Sequence, residues 1–96
     1  MHYDNRVSLE PGTPRRGQTT NINYRGILAN SGADAIWLHY GFDGWKTSKT
    51  VPMQRQANIF NCNVQVEGNR EMTFCFKDSA DHWDNNNGQN WSCSIH

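Results

Sequence analysis

The sequence predicts an all-β domain, a single antiparallel, immunoglobulin-like β-sandwich of about seven to nine short strands. Three observations lead to this prediction. Large and polar residues alternate with a period of two along much of the chain, whereas no stretch shows a convincing helical period. Clusters of Gly, Pro, Asn and Asp separate these stretches at spacings of roughly 8 to 12 residues. The 96 residues are enough for one hydrophobic core and too few for two.

Five segments carry the alternation most clearly, and in each the larger residues are expected to face the core. In chain order the predicted inward residues are Thr20, Ile22 and Tyr24; Ile36, Leu38 and Tyr40; Phe60, Cys62, Val64 and Val66; Met72, Phe74 and Phe76; and Trp91, Cys93 and Ile95. Trp37 and His39 then fall on the outward face of the second segment. Turn chemistry predicts turns at residues 11–14, 30–32, 41–44, 67–69 and 84–88.

Residues 1–6 show no such pattern, so we expect a flexible N-terminal segment followed by a sandwich module over residues 7–96. The first residues also lack the basic and then apolar pattern of a secretory leader. This leaves the location of the protein open, because a module taken from a secreted protein would look the same.

Composition excludes several classes of partner. Nine Lys plus Arg balance nine Asp plus Glu, so neither nucleic acid nor a membrane surface is an expected partner. No run approaches about 18 apolar residues, the length of a membrane helix. Four Trp, four Phe and three Tyr are more than a disordered polar chain carries. The chain is therefore expected to fold, and its aromatic residues need an explanation.

The three cysteines have no C-x-x-C spacing, which argues against a zinc or redox motif. We interpret them as free thiols or at most one disulfide. Cys62 and Cys93 are predicted to face the core, where an unpaired cysteine acts as a small apolar residue. Cys75 is predicted to point outward and to be the reactive thiol.

Trp45 and Trp83 do not fit a strand face. One follows the turn at residues 41–44 and the other precedes the turn at residues 84–88, whereas Trp91 alternates with core residues. A loop tryptophan can fold back over the core as a lid, because an indole buries a large area. Two of them beside polar turn residues favour an exposed recognition surface instead.

The sequence around these tryptophans resembles a known family. The relevant segments are residues 39–45 (HYGFDGW), 51–53, 74–78 and 83–86 (WDNN), with further similarity at residues 24–28 and 31–34. Together they resemble the starch-binding carbohydrate-binding modules of family 25 and are similar to the related family 53 modules of plant starch synthases. The combination of H-x-G-x-x-x-W and W-D-N-N, in this order, is more specific than either motif alone.

This resemblance implies a non-catalytic β-sandwich that binds starch, glycogen and maltooligosaccharides. Trp45 and Trp83 match the two stacking tryptophans of the family, and His39 matches its hydrogen-bonding histidine. An asparagine after the W-D pair matches a polar contact of the family, and the resemblance does not say which of the three asparagines it is. The predicted carbohydrate-binding set is therefore His39, Trp45, Trp83, Asp84, Asn85, Asn86 and Asn87. The chain departs from the family pattern in its third consecutive asparagine and in Trp37.

The residue types suit this ligand independently of the family. The C–H groups on a pyranose face pack on an indole, whereas the hydroxyl rim needs the directional partners that His, Asn and Asp provide. Two indoles set at an angle fit a curved α-1,4-glucan, whereas a coplanar row fits a flat β-glucan. The sequence does not give this angle, so the α preference comes from the resemblance alone.

We therefore expect starch, glycogen or α-1,4-gluco-oligosaccharides as ligands, no cofactor, and a monomer covalently linked to an amylolytic enzyme. Such a parent protein would be extracellular if it is a secreted amylase. Asp84, Asn86 and Gly88 are spaced like the start of a calcium loop, but its closing glutamate is missing, so we interpret this segment as a turn and predict no metal site.

Catalysis is not expected. The aspartates fall in predicted turns rather than in a paired arrangement across a cleft, and no hydrolase or phosphate-loop motif occurs. One alternative from a different class stays open at this point. In it the sandwich is a protein-interaction module that uses Trp37, Trp45 and Trp83 as anchors.

Overall fold

A computed structural model describes residues 6–26, 28, 32, 34–57 and 59–95. Nine strands lie within the described residues. They are β1 (Val7–Glu10), β2 (Thr19–Tyr24), β3 (Ile36–Phe42), β4 (Thr47–Pro52), β5 (Gln54–Gln56), β6 (Ile59–Gln65), β7 (Glu71–Asp78), β8 (Trp83–Asp84) and β9 (Trp91–Ser94). In this part of the chain no helix is long and apolar enough to cross a membrane.

The strands form two antiparallel sheets. The first sheet has the order β1-β2-β6-β5. The second has the order β4-β3-β7, and both β8 and β9 pair with the far side of β7. The prediction of an all-β antiparallel sandwich is confirmed.

The core lies between the two sheets. It contains the hydrophobic inward residues that the sequence assigns to it, apart from Cys62 at its margin, and it also includes residues that the sequence analysis did not assign: Val7, Leu9, Leu28, Phe42 and Met53. Tyr24 of the first sheet stacks on Phe76 of the second, with ring centroids 4.1 Å apart. Trp91 is buried and packs against Phe74 and Phe76, with centroids 6.5 and 5.4 Å away. These contacts confirm that Trp91, Phe74 and Phe76 are core residues.

Some sequence predictions fall outside the described residues. Residues 1–5 of the predicted flexible N-terminal segment are among them, and so are Asn30 and Ser31 of the predicted turn at residues 30–32. The structure does describe Arg6, and its side chain packs near β8 and β9. Its guanidinium lies 5.0 Å from the centroid of the Trp91 ring, donates a hydrogen bond to Asn86 Oδ1 and lies 3.7 Å from the Asp84 carboxylate.

All three cysteines are free thiols. Cys93 is buried, as predicted, whereas Cys62 is half-buried and packs at the margin of the core. The prediction that Cys75 is the reactive thiol is wrong. Although Cys75 alternates with the core residues of β7, it is only 5% exposed, and burial raises the pKa of its thiol to about 11. A buried thiol that stays protonated at neutral pH is a poor nucleophile.

Candidate functional site

The outward face of the second sheet carries the exposed aromatic residues, and we call it the aromatic face. The strand register sets its residues in three rows across the sheet. The rows are Pro52, Trp37, Lys77 and Trp83; then Thr50, His39 and Cys75; then Ser48, Gly41, Thr73 and Ser92. Trp45 and Trp83 are the large apolar side chains that remain exposed among the described residues, at 39% and 47%. The sequence prediction of two exposed tryptophans therefore agrees with the structure, and the core-lid interpretation does not.

Trp45 reaches this face from the β3–β4 turn. Three successive residues of the turn have a positive φ: Asp43 (52°), Gly44 (76°) and Trp45 itself (65°). A bulky residue seldom adopts this conformation, which costs of the order of 1–3 kcal/mol. The indole folds back over Gly41, where an added Cβ atom would collide with its Cε3 atom. The missing side chain of Gly41 thus makes the space in which Trp45 lies.

Asp43 holds the turn in place. Its carboxylate accepts hydrogen bonds from the backbone N–H groups of Asn69, Arg70 and Glu71, the shortest at 2.7 Å. These bonds, led by that from Asn69, lower the pKa of the Asp43 carboxyl below its usual value. The turn that presents Trp45 is therefore fixed to the segment before β7.

Trp83 and Asp84 point to opposite sides of the sheet. Trp83 pairs with Lys77 of β7, and its ring lies 5.6 Å from the lysine Nζ on the aromatic face. Asp84 pairs with the core residue Phe76 and is 6% exposed. Adjacent residues of a strand face opposite ways, so Trp83 and Asp84 cannot both face the same ligand.

His39 lies between the two tryptophans. Its ring stacks on Trp45 with centroids 5.2 Å apart and planes 17° apart, and it meets Trp83 edge-on at 5.6 Å and 83°. The two indole planes are therefore steeply inclined to each other. Nδ1 of His39 is 2.8 Å from Thr50 Oγ1, which fixes the ring, and Nε2 has no hydrogen-bond partner among the described residues.

Asp84 has partners inside the protein. Its Oδ2 atom accepts a hydrogen bond of 2.6 Å from the Tyr24 hydroxyl, and its Oδ1 atom lies near Arg6. Burial, together with the bond to Asp84, raises the pKa of Tyr24 well above its usual value. The structure thus separates Asp84 from His39, Trp45 and Trp83 and gives it a role in anchoring β8. Among the described residues no group of three His, Cys, Asp or Glu side chains could hold a metal ion.

The three asparagines after Asp84 differ in their surroundings. Asn86 accepts a hydrogen bond from Arg6 and donates one to the Asn90 carbonyl, so its amide holds the loop together. Asn85 is exposed; its Oδ1 accepts from the Gly88 N–H, and its amide nitrogen has no partner among the described residues. Asn87 is also exposed and has a φ of 58°. The amide nitrogen of Asn85 and the side chain of Asn87 are thus open to solvent.

Sequence reasoning missed four residues that build this face: Gly41, Asp43, Thr50 and Lys77. Gly41 was visible as part of a motif, but its contact with Trp45 depends on how the turn folds back. Thr50 contacts His39 because β3 and β4 pair with the register His39 to Thr50. Such a pairing could be proposed from the hairpin, since opposite residues of antiparallel strands adjoin each other.

The sequence profile of the starch/carbohydrate-binding modules of family 53 matches residues 20–96. This match spans most of the chain, and the protein belongs to that family. The sequence motifs resembled family 25 first and family 53 second. Membership of family 25 itself is not confirmed.

An alpha-amylase of Clostridium acetobutylicum is 30% identical to this chain over 93 residues. The aligned region is 95% of this chain and 12% of the amylase, so the chain spans a small part of that relative's length. No solved structure matches the chain.

Proposed function

We propose that this module binds starch and other α-1,4-glucans, including glycogen and maltooligosaccharides, without catalysing a reaction on them. The proposed contacts are Trp45 and Trp83 as stacking surfaces and His39 as a hydrogen-bonding group. Family membership supports a carbohydrate ligand in general. The choice of an α-1,4-glucan and of these residues depends on the geometry of the aromatic face.

The inclination of the two indoles is the observation that carries the proposal. Because His39 is nearly parallel to Trp45 and nearly perpendicular to Trp83, the two indole planes cannot be coplanar. Successive sugars of an α-1,4-glucan turn along a curved path, so two sugars can each lie flat on one of two inclined rings. A straight β-1,4-glucan would meet only one ring in this way.

His39 and Asn85 supply the polar part of the proposed contact. The His39 Nε2 atom can accept or donate a hydrogen bond to a sugar hydroxyl, depending on its tautomer. Thr50 holds the ring from the other nitrogen, so little side-chain entropy is lost on binding. We choose Asn85 over Asn86 because the Asn86 amide is bonded within its loop.

A few contacts on an open surface support modest affinity. Each hydrogen bond to a sugar replaces one to water and contributes about 1 kcal/mol net. We expect a Kd of about 10 μM to 1 mM for a short maltooligosaccharide, or roughly −4 to −7 kcal/mol. The similarity to a segment of an amylase supports the further proposal that the module is linked to an amylolytic enzyme.

Isothermal titration calorimetry tests the proposal directly. Maltoheptaose should give saturable heat with the wild-type protein, and cellohexaose should give none. Trp45→Ala and Trp83→Ala should each weaken binding of maltoheptaose at least about tenfold, or 1.4 kcal/mol. Asn63→Ala is the matched control, because Asn63 is exposed on the other sheet, and its affinity should equal that of the wild type.

Binding should also survive EDTA, since the proposed contacts involve no metal. Nanomolar affinity, or affinity that depends on added calcium, would contradict the surface geometry proposed here. If maltoheptaose gives no heat while the variants remain folded, the α-glucan proposal fails. The exposed tryptophans would then favour the alternative, a surface for a protein partner.

A further inference from the structure

Beyond the proposed stacking pair, the aromatic face carries a third tryptophan in the same row as Trp83. Trp37 pairs with Lys77 on one side and with Pro52 of β4 on the other, and Lys77 pairs with Trp83. Neighbouring strands are about 4.8 Å apart, so Trp37 and Trp83 are separated by about 10 Å of sheet. Trp37 is half-buried rather than part of the core.

The side chain of Lys77 joins these two tryptophans. Its Nζ atom lies 5.8 Å from the centroid of Trp37 and 5.6 Å from that of Trp83, both within the range of a cation–π contact. An ion pair of 2.7 Å with Asp81 fixes the ammonium in this position. An ammonium group has three N–H donors, and Asp81 is its one hydrogen-bond acceptor among the described residues. Lys77 therefore keeps donors for another acceptor.

These contacts make one continuous path of side chains over the sheet. The path runs from Trp45 through His39 to Trp83, and from Trp83 over Lys77 to Trp37. The first part is the proposed stacking pair. The second part offers what a further sugar needs, an aromatic surface beside a hydrogen-bond donor.

We propose that Trp37 and Lys77 form an additional subsite for a further glucose unit of a longer α-glucan. This inference rests on the proposed function, since it extends the same face. In the subsite, Trp37 contacts the C–H groups of the sugar and Lys77 donates a hydrogen bond to one of its hydroxyls. The module then distinguishes long chains from short ones, because only a long chain reaches from Trp45 to Trp37.

The test compares maltotriose and maltoheptaose as ligands in calorimetric titrations of the wild type and Trp37→Ala. The wild type should bind maltoheptaose more tightly than maltotriose. In Trp37→Ala, affinity for maltoheptaose should fall about fivefold to tenfold, in line with the loss of one sugar contact. Affinity for maltotriose should stay within about twofold, because the Trp45–Trp83 pair is intact.

Further variants keep the test decisive. Trp37→Phe preserves an aromatic surface and should restore most of the affinity for maltoheptaose. If Trp37→Ala fails to fold, Trp37→Leu, which keeps apolar volume but has no aromatic ring, replaces it and should show the same selective loss. Lys77→Met keeps the apolar stem but removes the donors, and it should weaken maltoheptaose binding more than maltotriose binding. Thermal midpoints of all variants establish that each is folded.

The possible results are distinct. If Trp37→Ala binds both ligands as the wild type does, or loses equal affinity for both, the additional subsite does not exist. An equal loss for both ligands in Lys77→Met would assign Lys77 to the support of Trp83 and remove it from the subsite. Absence of binding in the wild type would refute the proposed function itself, and the inference with it.

Discussion

The two outward faces of the sandwich are both rich in polar residues, yet they differ in what they leave unsatisfied. On the first sheet, the side-chain amides of four asparagines bond mainly to one another, and we call this set the amide ladder: Asn21, Asn23, Asn61 and Asn63. On the aromatic face, the rings of Trp45 and Trp83 are exposed to solvent. The Nε2 atom of His39 there has no hydrogen-bond partner among the described residues. A position on an outward face therefore does not by itself indicate a site; an exposed ring or an unpaired polar atom is the better indicator.

The largest expected difference in stability is between the loss of a core tryptophan and the loss of a tryptophan on the aromatic face. Trp91→Ala should lower the free energy of unfolding by roughly 3–5 kcal/mol, because it leaves a cavity beside Phe74 and Phe76. Trp83→Ala should change it by no more than about 0.5 kcal/mol, as exposed positions usually do. Urea denaturation of both variants measures this. Equal losses would mean that Trp83 is a structural residue.

The second prediction concerns the hydroxyl that links the two sheets. Tyr24→Phe removes the hydrogen bond to the buried Asp84 carboxylate and an acceptor for the Leu28 N–H. Leaving buried polar groups unsatisfied should lower the free energy of unfolding by about 1–3 kcal/mol. Tyr40→Phe is the matched control, since the Tyr40 hydroxyl has no hydrogen-bond partner among the described residues. A similar effect in both variants would show that the Tyr24–Asp84 bond contributes little.

Disruption of the amide ladder should lower stability less than the two changes above and should leave glucan binding unchanged. Asn61→Ala removes two donated hydrogen bonds, to Asn21 Oδ1 and Asn23 Oδ1, and one accepted from Asn21 Nδ2. It should lower the free energy of unfolding by roughly 0.5–1.5 kcal/mol. Its affinity for maltoheptaose should match that of the wild type. A marked loss of affinity would place a glucan contact on the first sheet and remove the distinction between the two faces.

The smallest expected effect is a pH dependence in the turn that carries Trp45. The pKa of Asp43 is lowered in the folded state, so its contribution to stability is present above its unfolded pKa of about 3.9 and disappears as pH falls through the folded value. Asp43→Asn should therefore lower the thermal midpoint near neutral pH, and the difference from the wild type should shrink below about pH 4. A difference that stays constant with pH would contradict this.

The fold was more predictable than the placement of single side chains. The five predicted segments correspond to β2, β3, β6, β7 and β9 because each has one face against the core. The edge strand β4 escaped notice, since its side chains are nearly all exposed and show no alternation. The two residues of β8 are too few to form a pattern. By contrast, β1 buries Val7 and Leu9 and leaves Ser8 and Glu10 more exposed, so the alternation of a strand was present in the sequence there.

The residues of the candidate site could be proposed from the sequence, but their geometry could not. His39, Trp45 and Trp83 were identified from their motif and their polar surroundings. Their mutual inclination depends on the strand register and on a turn with positive φ angles, neither of which the sequence states. Asp84 was grouped with Trp83 because the two are adjacent, whereas its true partner Tyr24 lies 60 residues away in the chain.

Gly41 shows that the arrangement of a candidate binding surface can depend on an absent side chain. Alanine substitution at the other residues of this face removes atoms, whereas at a glycine it adds a methyl group. At residue 41 the informative experiment is an addition, because a single methyl group would occupy the place of the Trp45 ring. A mutational survey of this module that omits the glycines would miss one of the positions on which the orientation of Trp45 depends.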